Sequence, residues 1–106
     1  MAILKLPHEG DTLTARIDRC AVEQGKDGDV VVFEFGDDCL YLPKRSADRQ
    51  LLSAGFAIAG TPRVDYVEVM GNTLCFSRDH NAKDPAKPYW SITIAHGEPG
   101  LAPKRQ

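Results

Sequence analysis

Long apolar runs are scarce in this chain of 106 residues. No stretch approaches the ~20 apolar residues that a membrane-spanning helix needs, and no apolar segment has the form of a secretory signal. Secretion and membrane insertion are disfavoured, and the chain is expected in the cytoplasm. Cysteine is sparse too: Cys20, Cys39 and Cys75 are far apart and odd in number, with no C-x-x-C spacing. A zinc site or redox pair is therefore not expected, and free buried thiols in a reducing compartment are the reading. Excess charge is missing as well. Thirteen Lys and Arg against fifteen Asp and Glu leave a formal net charge of −2. Nothing pulls the whole chain towards nucleic acid or an anionic membrane, so such binding requires cations gathered locally.

Catalytic motifs are missing. The glycines are scattered through turns rather than forming a phosphate loop, and no serine has a nucleophile-elbow context. Asp79-His80, with Asp84 beyond, is the one stretch that imitates an acid–base pair or metal site. Neighbours in a loop need not point to one place, and His8 and His96 lie near the ends. No catalytic residue, metal or cofactor is expected, and the chain is read as a non-catalytic binding domain.

What is present is ordinary globular material, 42% apolar and 26% charged, enough for one domain with its own core. Residues 1–96 are taken as that domain and 97–106, with two prolines, two glycines and a basic end, as a flexible tail. Ala2 to Leu6 reads as a short edge strand ended by Pro7. From Thr12, Leu13, Ala15 and Ile17 alternate with polar neighbours, and the phase then slips so that Cys20 and Val22 become apolar. A bend near Asp18-Arg19 repairs it. Gln24 to Asp29 is a hairpin turn, Val30 to Phe35 a strand with Val31, Phe33 and Phe35 inward, and Cys39 to Leu42 the third strand of a meander.

Pro43 ends that strand. Lys44 and Arg45 stand at the junction, and Ser46 is expected to cap a helix in which Ala47, Leu51 and Ala54 form the apolar face. Gly55 fits the position just past its end. Arg63 to Met70 reads as a strand turning through Gly71-Asn72 into Thr73 to Arg78. The polar stretch from Asp79 to Pro88 is long for a hairpin connection. Tyr89 to Ala95 alternates, with Trp90, Ile92 and Ile94 on one side; Phe76 and Trp90 are assigned to the core. The expected fold is mainly β: a small antiparallel barrel of about five to six strands, with one short helix after the third.

Three meandering strands with a bent first member, a helix, then a hairpin: over Thr12 to Arg78 this order resembles the OB-fold, although the strand at Tyr89 exceeds the five-strand pattern. The resemblance implies a binding face across the second and third strands, often used for single-stranded nucleic acid. Such sites need cations for phosphates and aromatic faces for bases. Tyr41, Lys44, Arg45 and Arg49 offer one such grouping, and Arg78, Lys87 and Tyr89 a second. Single-stranded DNA or RNA is therefore the expected partner. The alternative is a protein partner, held by an accessory subunit or small inhibitor through a strand edge or the 79–88 loop. Self-association is expected if the apolar strand Val30 to Phe35 needs cover on both faces.

Overall fold

A computed structural model of the chain describes residues 2–79, 83, 89–95 and 100–102. The protein is mainly β, built from two four-stranded sheets. In the first sheet, β1 (Ala2–Ile3), β5 (Asp38–Pro43), β4 (Gly28–Phe35) and β3 (Arg19–Gly25) lie side by side in that order. The second sheet runs β7 (Tyr89–Ile94), β6 (Thr73–Asp79), β2 (Thr12–Arg16) and β8 (Gly100–Ala102). Gly100–Ala102 thus pairs with β2, inside the stretch read from sequence as tail.

The corner between β2 and β3 explains the phase slip. The chain leaves the second sheet at Arg16 and enters the first at Arg19. Ile17 donates its N–H to the Asn72 carbonyl at 2.9 Å, and Asp18 donates to the Glu34 carbonyl at 2.7 Å. The Asp18 carboxylate also accepts the Gly36 N–H at 2.7 Å. Leu13, Ala15 and Ile17 face inward before the corner, and Cys20 after it. Between the sheets, Phe33 meets Phe76 edge to face with ring centroids 4.9 Å apart. Leu42, Leu74, Ile92 and Leu51 complete this core, each contributing roughly 1.5–3 kcal/mol by burial.

Four expectations are corrected. First, the barrel does not close. The first sheet ends at β1, beyond β5, and the second at β7, with no ladder between the sheets. Helix α1 (Lys44–Ser53) packs against β4, β5 and β7, at this seam. Second, the sheets are not wholly antiparallel, because β1 runs parallel to β5. Third, α1 begins at Lys44, with Pro43 in the N-cap position and no side-chain cap, so Ser46 lies inside the helix. Pro43, with φ −54°, has the preset torsion that suits a helix start. Fourth, Arg63 to Met70 is not a strand. Asp65 accepts the Glu68 N–H at 3.2 Å and caps a second short helix, α2 (Tyr66–Val69). Gly71-Asn72 is accordingly the exit from α2 rather than a hairpin turn.

The end of α1 follows expectation. Gly55 adopts φ 98°, the Phe56 N–H returns to the Leu51 carbonyl at 3.0 Å, and the Gly55 N–H to the Leu52 carbonyl at 3.1 Å. This pair of bonds is a Schellman closure. The apolar strand β4 also finds cover on both faces within one chain: Val32, on the face opposite Phe33, is 1% exposed. The burial argument for a second copy therefore falls away.

Candidate nucleic-acid interface

The open seam between β5 and β7 holds a groove of about 310 Å³. Its construction starts at the N-terminus. After β1, the Leu4 N–H donates to the Cys39 carbonyl at 2.8 Å, and residues 4–7 then leave β5 and cross towards β6. There Arg78 fastens them, with one terminal nitrogen donating to the Leu6 carbonyl at 3.2 Å and the Pro7 carbonyl at 2.6 Å. The crossing segment forms one wall. Lys5 and Pro7 line it, facing Leu40 and Tyr41 from β5, Arg78 from β6 and Trp90 from β7. Arg78 and Trp90 are cross-strand partners. Two cations and two aromatic rings from four separate segments therefore share one recess, and no carboxylate lines it among the described residues.

Of the expected site residues, Tyr41 and Arg78 line this groove, and Lys44, Arg45, Arg49 and Tyr89 are not among its lining residues. Tyr41 is 41% exposed and pairs with Val32 on the neighbouring strand β4. Its phenol is pushed above the usual range, first by Cys39 two residues earlier, then by partial desolvation and the carboxylates of Glu23 and Glu34. Lys44 is tied to Asp48 at 2.6 Å, and the other Asp48 oxygen accepts the Tyr66 hydroxyl. Burial, reinforced by that carboxylate, raises the Tyr66 phenol. Arg45 and Arg49, one helical turn apart, are exposed on α1. Tyr89 is exposed at the start of β7, and its hydroxyl accepts from the Gln50 amide at 3.4 Å, joining β7 to α1. Lys87 lies outside the described residues, as do His80 and Asp84.

One groove residue, Lys5, escaped the sequence reading. Phe76 and Trp90 share a core phase in the sequence; Phe76 is fully buried, whereas Trp90 is only partly buried and packs against the core. Its phase with Ile92 concealed this; the Arg78–Trp90 pairing was the available signal. Lys5 carried no local signal, because only the crossing of residues 4–7 brings it to the seam.

Elsewhere, the thiols of Cys20 and Cys39 are buried and Cys75 is half-buried, and all three are free. Burial, with the charge of Asp48, pushes the Cys20 thiol up to about 12. Among the described residues no group of three or more His, Cys, Asp and Glu is placed to hold a metal, and no helix is long and apolar enough to cross a membrane. A mainly β domain of two sheets, with a groove on their open seam, is the class the geometry defines. Comparison with protein-family models, curated proteins and solved structures finds no match.

Proposed function

We propose that this is a non-catalytic, cytoplasmic domain that binds single-stranded DNA or RNA along the seam between β5 and β7. The observation that carries the reading is the groove itself, where Lys5 and Arg78 stand with Tyr41 and Trp90 and no described carboxylate is among the lining residues. Cations neutralise phosphate and aromatic faces stack bases, the two requirements of single-strand binding. Arg45 and Arg49, exposed on α1, and Tyr89, joined to that helix through Gln50, are read as further contacts outside the groove. The bent strand leading into a meander and a helix keeps the first part of the OB-fold order, but the hairpin counted over Arg63 to Arg78 is absent, its first half holding α2, and the seam is open where the resemblance implies closure.

The test is fluorescence anisotropy of a labelled single strand titrated with protein at two salt concentrations. Binding that weakens steeply with salt is expected, because neutralised phosphates release counterions. Lys5→Glu with Arg45→Glu should weaken it further. Absence of binding at low salt, or indifference to these reversals, contradicts the reading.

A protein-interaction module is the second reading. It is favoured by exposed apolar side chains in the connection after α1, where Val67 is 72% and Ile58 43% exposed. Val67→Asp would then abolish capture of a partner while leaving single-strand affinity unchanged.

A further inference from the structure

The connection after α1 builds a second recess, of about 310 Å³, that shares no lining residue with the seam groove. One wall is a tight hairpin closed by an antiparallel bridge between Ala57 and Val64. Within it the Ile58 N–H donates to the Arg63 carbonyl at 2.9 Å, and the Ile58 carbonyl accepts the Thr61 N–H at 3.0 Å and the Thr61 hydroxyl at 2.9 Å. Thr61 Oγ1 in turn accepts the Arg63 N–H at 3.2 Å, and Gly60 supplies the turn's φ of 76°. A wall bonded this fully within itself needs no ligand to set its shape. Ile58, Pro62 and Val64 give it an apolar lining.

The other side is charged. Lys44 and Asp48 from α1 and Tyr66 from α2 line it. Asp48 accepts the Lys44 ammonium at 2.6 Å on one oxygen and the Tyr66 hydroxyl on the other. Arg63 also lines the recess and is exposed, and among the described residues no carboxylate pairs with its guanidinium. Two cations thus share the recess with one carboxylate already engaged on both oxygens, and each cation keeps N–H donors to spare.

We infer that this recess binds a small organic carboxylate, its anionic end held by Lys44 and Arg63 and its apolar body laid on Ile58, Pro62 and Val64. The volume, at the small end of ligand pockets, limits that body to a short chain or one ring. Two sources carry this chemistry, a free acid and the C-terminal carboxylate of a peptide. The site is separate from the seam and stands independently of the single-strand reading.

The test is an NMR titration of the full chain at constant ionic strength with acetate, butyrate, hexanoate, hexanol and inorganic phosphate. Hexanoate should give saturable shifts of the Lys44, Arg63, Val64 and Tyr66 amides, with affinity rising from acetate by up to about fourfold per buried methylene. Hexanol and phosphate, each keeping one half of the ligand, should bind at least about tenfold more weakly. A short leucine-ended peptide is compared with its C-terminal amide. A response to the free acid form alone assigns the site to a chain terminus, and no response to either form assigns it to a free acid. Arg63→Gln removes a side chain that the fold does not use and should weaken hexanoate about tenfold. Lys44→Gln should do the same, with a thermal melt as the check on folding; where it does not fold, Arg63→Gln decides. Hexanol or phosphate binding as tightly as hexanoate overturns the inference. So do shifts centred away from the recess, no saturable shift at millimolar hexanoate, or unchanged affinity in Arg63→Gln.

Discussion

The outer face of the first sheet and the seam share Tyr41, but their cations differ in where the counter-charge sits. On the sheet face, Arg19 contacts Glu34 and lies 3.5 Å from Glu23, and the same two glutamates bear on Tyr41. Those charges answer one another within the fold. At the seam, Lys5 and Arg78 share a recess with no described carboxylate, and Arg78 bonds to carbonyls rather than to an anion. A cation near an aromatic ring in sequence is thus no measure of a binding surface. What counts is whether the fold has already placed an anion beside it.

Removing what both regions stand on should have the largest effect. Phe33→Ala withdraws the ring that meets Phe76 between the sheets and should cost about 3–5 kcal/mol, read from denaturant unfolding. Arg78→Ala acts on the seam alone. Losing its bonds to the Leu6 and Pro7 carbonyls should cost about 1.5–3 kcal/mol and free residues 4–7 for early proteolysis, while β3 and β4 stay protected from hydrogen exchange.

Charge reversal separates the regions more finely. Lys5→Glu should reduce single-strand affinity about tenfold at low salt and flatten its salt dependence. Arg19→Glu changes net charge equally but lies in the internally neutralised face, so its affinity should stay close to that of the unaltered protein. Equal losses in the two variants would show that only overall charge matters.

Legibility divided along similar lines. The corner at Asp18, the inward set Val31, Phe33 and Phe35, and the closure at Gly55 were readable because each rests on local pattern or turn chemistry. The stretch Val64-Asp65-Tyr66-Val67-Glu68-Val69 alternates like a strand, yet Asp65 caps a helix there. Short runs bear either reading, and tertiary context selects one. The start of α1 lies earlier than Ser46 suggests for a related reason: Pro43, at φ −54° and ψ 134°, takes the N-cap place and the helix begins at Lys44. The groove was least legible. It joins residues more than seventy positions apart through Arg78 and the carbonyls of Leu6 and Pro7, and Trp90 obeyed a core periodicity while standing at the rim.

The smallest expected effect is one of pH, away from both regions. The Cys20 thiol rises from an ordinary 9.0 to about 12 on folding, so between these values the folded chain keeps a proton that the unfolded chain has lost. Stability from this group is complete below pH 9 and declines as pH rises towards 12. The melting temperature should therefore fall across that window, and Cys20→Ala should make the fall shallower. At neutral pH a thiol reagent should label half-buried Cys75 first.

The most direct measurement is an NMR titration of the full chain with a short oligothymidylate at low salt. Shifts of the Trp90 indole and of the amides of Lys5, Tyr41 and Arg78, with Ala21, Glu23 and Glu34 unmoved, are the predicted result. Shifts centred on Ile58 to Met70, or on the outer face of the first sheet, or no shifts at all, would contradict the assignment of the seam as the binding site.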